Sequence, residues 1–403
     1  MRILLLTQVV VYPADAGPKV KTLQVLRYLA ARHTVMYCTF ARNAGEIQAA
    51  NSLRSLCSRI ATVLIRRSWM NNVRFLIESL LTGDAFLLRR DECSSMHTVV
   101  HQLLCEERIE VLHVDQLNMM RFVPEDWSGI VVLDEHNALW QVVERWRKGT
   151  HNPFKRWFLT REARLIREIE AQACQRAQVV LAVSEQDKRV LREIAGDAVP
   201  IEVVPITVDV ESLDAIRARR NPGPHRLLSI GTMFWPSNSE GIIWWLSEGY
   251  ARLHELCPEA IYDIVGARPP SSLQRLAAHY TGVRLHGYVA DVSPFWISAT
   301  ALAVPLLSGG GVRVKIMEAM ALGVPVISTT IGCEGLDVED NVHLLIADTP
   351  ETFATACAAV LQDEMLARRL AENARQLIVK QYDAKYALQI LETVYNGFRD
   401  KLI

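Results

Sequence analysis

Eight cysteines are present in the 403-residue chain, yet no two form a C-x-x-C pair, which removes the usual spacing of a structural zinc site. At 38, 57, 93, 105, 174, 257, 333 and 357 they mostly fall inside apolar periodic stretches. They read as reduced core thiols, which points to a reducing compartment and, most simply, to the cytosol. No apolar run reaches the roughly 18 residues that a membrane span needs. The longest, residues 1–11, imitates a signal peptide with its single arginine, short apolar core and Ala14-Asp15-Ala16. Thr7 and Gln8 interrupt that core and an amphipathic stretch follows directly, so the run is expected to be a buried first strand. An excess of one charge is missing too: 44 basic residues face 45 acidic ones, for a formal net charge of −1. Nothing global draws nucleic acid, and any basic surface must be local. Internal repeats and low-complexity tracts are absent, which excludes solenoids and sticky tails.

Half of the residues are hydrophobic, enough for an ample core. Single cores stop growing near roughly 250–300 residues, so two domains are expected. Short, apolar, β-branched segments at 2–10, 34–40, 61–65, 109–115, 130–134 and 179–184 alternate with helical stretches, among them 18–32, 94–108 and 158–176. The helix over 18–32 is expected to bury Val20, Leu23, Leu26 and Ala30. Such alternation predicts a parallel, doubly wound sheet. After 201–205 the periodicity lapses across 209–224, which ends in Arg219-Arg220-Asn221-Pro222-Gly223-Pro224 and reads as a linker. The pattern then restarts, with strands at 226–230, 261–265, 283–286, 299–305 and 325–329 and helices at 239–256, 271–280, 350–362, 364–380 and 384–402. The expected organisation is a Rossmann-like domain over 1–208, a linker over 209–224, a second Rossmann-like domain over 225–380, and a last helix in 381–403 that packs back toward the first domain. The fold class is α/β, with two doubly wound domains expected to face each other across a cleft lined by the carboxyl ends of their strands.

The richest segment runs from Ser308 to Thr329. Gly309, Gly310 and Gly311 permit positive-φ turns and close approach to a ligand, and the helix that follows aims its free N–H groups and positive dipole end there. Arg313 and Lys315 add two positive charges in the turn where the dipole favours an acid, so a bound phosphate or diphosphate would reconcile them. Glu318, seven residues beyond Gly311, lies about two turns along, where a carboxylate is placed to grip the vicinal hydroxyls of a ribose. The plainer alternative is a surface glycine loop with Lys315 and Glu318 paired at i, i+3 on a wet face. In the first domain, His113 and Asp115 end one strand and Asp134-Glu135-His136-Asn137 ends the next. These polar groups cluster at the edge of an apolar sheet, either as a functional site or as caps of the following helices.

The motif Glu318-Ala319-Met320-Ala321-x-Gly323-x-Pro325-Val326-Ile327 after an apolar strand resembles the donor-binding region of retaining glycosyltransferase family 4, the glycosyl transferases group 1 of GT-B type. Val183-Ser184-Glu185, Val203-Val204-Pro205, Ile230-Gly231-Thr232 and Gly287-Tyr288-Val289 extend the resemblance over nearly the whole chain. It implies a retaining, metal-independent transfer of a sugar from a UDP- or GDP-type nucleotide sugar to a sugar, a lipid-linked glycan or another hydroxyl acceptor, with no separate cofactor and no metal. Glu318 would then bind the donor ribose, Arg313 and Lys315 the diphosphate, Gly309 to Gly311 and Gly231 the phosphates by backbone approach, and Gly287, Tyr288 and Val289 the base. Gly17-Pro18-Lys19 stands where the family has a Gly-Gly turn, so Gly17 and Lys19, with Glu135 and Asn137, would line the acceptor side. Asp115 is the favoured sugar-contacting residue, with His113 and His136 as alternates. Two departures follow from the residues: Gly310 occupies the place of the first of the family's paired acids, and Met233, Phe234 and Trp235 replace the basic residues after the Gly231 strand. The loop should therefore hold its ligand chiefly by the phosphates.

Arginines at 54, 59, 66, 67, 74, 89 and 90 stud a stretch with Trp69, Phe75, Leu76, Ile77, Leu80 and Leu81, and a second cluster runs through Arg145, Trp146, Arg147, Lys148, Lys155, Arg156, Trp157 and Phe158. Basic heads beside apolar side chains suit an anionic bilayer, so peripheral contact with the inner face of a membrane is expected, against a merely solvated basic face. Two other functions fit the same frame: a nucleotide-sugar epimerase, and a non-catalytic protein that binds a nucleotide sugar.

Overall fold

The computed structural model describes residues 1–402 except Asp15, Ala16 and Gly310, and over 399–402 it describes the backbone alone. The chain divides into two compact units, one made of Met1–Ile206 together with the residues from Leu388 onward, the other of Thr207–Ala387.

In the first unit seven strands form one sheet: β1 (Arg2–Thr7), β2 (Thr34–Ala41), β3 (Arg59–Leu64), β4 (Val111–Asp115), β5 (Ile130–Asp134), β6 (Val179–Ala182) and β7 (Ile201–Val203). Their order is β3-β2-β1-β4-β5-β6-β7, with every pair parallel. The runs Ile130–Asp134 and Val179–Ala182 are buried at every position, as a sheet covered by helices on both faces requires. Leu4, Leu6, Leu112, Val114 and Leu133 pack with Val100, Leu103 and Ile166 of the covering helices. The chain winds outward from β1 to β3 and then restarts beside β1 at β4. That reversal leaves a crevice at the carboxyl ends of β1 and β4, the standard place for a ligand or a polar site.

The helix Gly17–Ala30 covers this crevice. It buries Lys21, Thr22, Leu23, Val25, Leu26 and Leu29, whereas Val20 and Ala30 of the expected face are only half-buried. The stripe is displaced because the strand ends below offer polar partners, which lets Lys21 and Thr22 occupy inward positions.

The second unit repeats the plan with β8 (Arg226–Ile230), β9 (Ile261–Val265), β10 (Val283–Gly287), β11 (Ala301–Val304), β12 (Val326–Ser328) and β13 (Leu345–Ile346), in the order β10-β9-β8-β11-β12-β13, all parallel. Leu227, Tyr262, Ile264, Ala303 and Ile327 pack with Trp245, Leu253, Phe353 and Leu370. The crossover between β8 and β11 again sets a crevice at their carboxyl ends.

The stretch 209–224, expected as a linker, contains the helix Val210–Arg217. Asp209 caps it by accepting the Ser212 N–H at 3.0 Å, and Asp214 pairs with Arg375 at 2.7 Å. Its few apolar residues, Val210, Leu213 and Ile216, gave too thin a stripe for the periodicity to show. The helix expected from residue 239 starts earlier, at Pro236, in the first-turn position where a missing N–H costs nothing, and widens over Trp245–Gly249 before continuing to Leu256. From Leu388 onward the chain belongs to the first unit, and Tyr395 is fully buried there.

Candidate functional site

In the second unit, β11 ends at Val304 and a loop leads to the helix Val314–Leu322. Gly309 and Gly311 take φ of 108° and 84°, the left-handed region that favours glycine. Gly310, one of the expected donor contacts, lies outside the described residues. Arg313 occupies the N-cap without a side-chain cap bond, and no acid sits in the first turn, so the helix presents its N–H groups uncapped. The Arg313 guanidinium donates from Nη1 to the Gly311 carbonyl at 2.8 Å, which stiffens the loop.

Lys315 does not pair with Glu318. Its ammonium turns to the end of β8, donating to the Ile230 carbonyl at 2.9 Å and to Asn238 Oδ1 at 3.0 Å. Gly231 makes room for this: a Cβ there would stand 3.0 Å from Asn238 Nδ2 and 3.2 Å from Lys315 Nζ. Asn238 carries no sequence signal of its own, because an asparagine inside the first turns of a helix ordinarily means nothing. Gly266 is a second residue the sequence did not single out. A Cβ on it would lie 1.7 Å from the Gly231 carbonyl oxygen, so the ends of β8 and β9 touch backbone to backbone. Gly266 in turn donates its N–H to the Gly287 carbonyl at 2.8 Å, and Gly287 takes a φ of 66°. Three glycines thus stand side by side along the carboxyl edge of β8, β9 and β10, with Tyr288 exposed and Val289 half-buried just beyond.

Glu318 is half-buried one turn beyond Lys315, and burial alone pushes its carboxyl up to about 7. Burial, then the charge of Arg313, brings Lys315 down to about 8. Burial also lowers Arg313, with Glu334 working against it. Each group would regain its ordinary ionisation with a suitable partner. An anion would stabilise the two cations, and a pair of hydroxyls would satisfy the carboxylate.

The first unit brings a different cluster together at its own crevice. Asp115 and Asp134 are directly opposed across β4 and β5. Asp115 Oδ1 accepts from Thr22 Oγ1 at 2.8 Å and meets His136 Nε2 at 2.9 Å. Asp134 Oδ1 is ion-paired with Lys21, and its Oδ2 lies 3.3 Å from His113 Nε2. His113 Nδ1 meets the Tyr395 hydroxyl at 2.6 Å. Burial alone would raise Asp134, but the Lys21 charge and the His113 hydrogen bond outweigh it and hold it below the usual carboxylate range. Asp115, Asp134 and His136 lie close enough together to hold a cation, and the Lys21 ammonium already supplies that charge.

Of the expected residues, Asp115 and His136 therefore share a hydrogen bond, while both nitrogens of His113 are taken up beneath them. Glu135 is buried with Oε1 unpartnered, and burial, reinforced by Glu170, pushes it well above the carboxylate range. Asn137 is exposed, and Gly17 and Lys19 open the covering helix half-exposed. Lys21 and Thr22 were missed at the sequence level. The signal was there for Lys21, a cation in i, i+4, i+8 register with the buried Val25 and Leu29. Gln116 was missed as well: it follows β4 with φ of 73°, a strained geometry for a side chain of its kind, and its Nε2 lies 3.4 Å from His136 Nδ1.

Residues 224–363 match the family model described as glycosyl transferases group 1. An "uncharacterized 44.6 kDa protein in cps region" of Klebsiella pneumoniae is 25% identical over 166 residues, 40% of this chain and 43% of that protein. The chain spans less than half the length of the curated relatives it matches. Among solved structures, sucrose-phosphate synthase from Thermosynechococcus elongatus is similar with a TM-score of 0.72 over 100% of both chains at 16% identity. Anabaena HepE in complex with UDP and glucose is similar with a TM-score of 0.66 over 98% of this chain and 99% of that one, at 15% identity. At such identities the likeness is one of fold, and the fold is GT-B, with two Rossmann-like units. Within it, the residues that match the glycosyl transferases group 1 model, 224–363, lie in the second unit.

Proposed function

We propose that the chain is a glycosyltransferase that moves a sugar from a nucleoside-diphosphate sugar to a hydroxyl acceptor. The observation that carries this reading is the uncapped helix start at Val314, where Arg313 reaches back to the glycine loop, Lys315 turns to the end of β8 beside Gly231, and Glu318 waits without a partner one turn deeper. The glycosyl transferases group 1 match over the same segment supports it. Lys315, Arg313 and the helix N–H groups hold the diphosphate, Glu318 the ribose hydroxyls, and the edge formed by Gly231, Gly287, Tyr288 and Val289 the base. A UDP donor is favoured by the HepE complex with UDP and glucose, with GDP as the other choice.

The bond between the anomeric carbon and the donor phosphate oxygen breaks, and negative charge gathers on the departing diphosphate. Preorganised cations and backbone dipoles stabilise that charge, so no metal and no cofactor beyond the donor is called for. Similarity to retaining enzymes favours attack by the acceptor hydroxyl on the face the diphosphate leaves, its proton passing to the leaving phosphate oxygen. In the first unit, Thr22 and His136 orient Asp115, the residue proposed to contact the acceptor. The relative encoded in a cps region favours a cytoplasmic role in building a surface polysaccharide or related glycoconjugate.

The test is to incubate the purified chain with a panel of nucleotide sugars and sugar or lipid-linked acceptors, following diphosphate release and the anomeric configuration of the product. Transfer with retention is expected. Release or epimerisation without transfer to any acceptor would point to the epimerase, and binding without turnover of any donor would point to a non-catalytic protein.

A further inference from the structure

We propose that the first unit docks on the surface of an anionic lipid bilayer through the apolar face of the helix Trp69–Thr82 and the adjoining start of the helix Pro153–Arg176. The first helix is well defined, with Ser68 accepting the Asn71 N–H at 3.1 Å at one end and Gly83 in the left-handed region at the other. Its inward side is narrow: Phe75 and Ser79 are its buried residues, and Arg161 clamps Ser79 through its hydroxyl at 3.1 Å and its carbonyl at 2.5 Å. Its apolar stripe points the other way. Trp69, Met70, Val73, Ile77, Leu80 and Leu81 recur at helical spacing and are all exposed, Trp69 by 78% and Leu81 by 82%.

Exposed apolar side chains also occur on the helix that clamps it. Phe154 and Trp157 lie on the same face as Arg161, the residue that grips Ser79, and are exposed by 83% and 63%. An exposed apolar stripe of this kind marks an interaction site, because water disfavours it and nothing else in the unit covers it.

The charges decide what covers it. Arg66 sits just before the first helix, and Lys155 and Arg156 lie between Phe154 and Trp157; all three are exposed. The first turn of the Pro153–Arg176 helix contains no acid. Glu78, on the flank of the stripe, is neutralised by Arg74 and Arg89, each at 3.3 Å. A second copy of the chain would bring this cationic border against its own image, whereas an anionic bilayer complements it. Indole rings at the border suit the headgroup level, and the exposed aliphatic and phenyl side chains suit the acyl boundary. Among the described residues no helix is long and apolar enough to cross a membrane, so the helix lies on the surface. This inference rests on the first unit alone and is independent of the donor reading.

The experiment is sedimentation of the full chain with extruded vesicles of phosphatidylcholine, with and without phosphatidylglycerol, at about 0.1 M salt. The chain should pellet with the anionic vesicles and bind the neutral ones about tenfold less. The Trp69→Glu/Leu81→Glu variant and the Lys155→Glu/Arg156→Glu variant should each lose about tenfold or more, with unchanged melting temperature. If the first variant proves unstable, Phe154→Ser tests the same surface from the other helix. Failure of the wild-type chain to pellet with anionic vesicles would overturn the proposal, as would equal binding by the glutamate variants. A dimer in solution that Trp69→Glu splits, without vesicle capture, would assign the surface to a second copy and overturn it equally.

Discussion

Glu318 and Lys315 are three residues apart, and the fold disfavours the charged form of both. Glu318 has its carboxyl raised from 4.5 to about 7 by burial, so its contribution to stability is complete below pH 4.5 and is lost as the pH rises through 7. Lys315, lowered from 10.5 to about 8, works in the opposite sense: its contribution is complete above pH 10.5 and is lost as the pH falls through 8. Near neutrality the ligand-free site therefore carries a cost that a diphosphate and a ribose would relieve. Glu318→Gln should leave the melting temperature unchanged near pH 4.5 and raise it progressively toward pH 8, by an amount worth up to about 3 kcal/mol. Thermal melts of both proteins across that range measure it, and a difference that does not vary with pH would contradict the assignment. Type and spacing alone single these residues out as candidates: cations in the first turn after a glycine loop, then an acid about a turn deeper. The direction of the Lys315 side chain was not legible, since its partners Ile230 and Asn238 lie 85 and 77 residues away in sequence.

The helix Val314–Leu322 is only as well placed as the strand ends beneath it. Gly231, Gly266 and Gly287 let the ends of β8, β9 and β10 close on one another, and Lys315 is fastened to the first of these ends. Gly266→Ala puts a methyl group against the Gly231 carbonyl and must separate β8 from β9. It should cost about 1–3 kcal/mol of stability and also weaken nucleotide binding, although the alanine itself stands beside the next strand. Melting and nucleotide titration of this variant, with normal values for both, would show that the glycine edge does not position the site. Strands were readable because parallel strands buried on both faces leave unbroken apolar runs. Helices with thin or misleading stripes were harder. Val210–Arg217 was hidden in a polar, proline-flanked stretch, and Gly17–Ala30 was assigned the wrong centre of burial because Lys21 and Thr22 find partners that only the folded sheet supplies.

Both units use the same strand permutation, with the chain starting in the middle of the sheet and reversing beside its first strand. That repetition is what alternating apolar strands and helices predicted, and it places one polar crevice in each unit. The two crevices differ in chemistry. The one in the second unit is cationic and glycine-lined; the one in the first is a dense buried network in which Asp115, His136, Asp134, Lys21 and His113 largely satisfy one another. A return of the last helix toward the first domain was expected, but that Tyr395 would complete this network could not be read in advance, because the contact joins residues 282 positions apart.

The division of labour gives the most direct test. The melting temperature of the full chain is measured with and without UDP and GDP in large excess, for wild type, Lys315→Ala, Glu318→Ala and Asp115→Ala. One of the nucleotides should raise the wild-type value by several degrees, as about 2–3 kcal/mol of binding linkage requires, and Asp115→Ala should show the same rise. Lys315→Ala and Glu318→Ala should lose it. No rise with either nucleotide, or a full rise in Lys315→Ala, would contradict a donor site in the second unit.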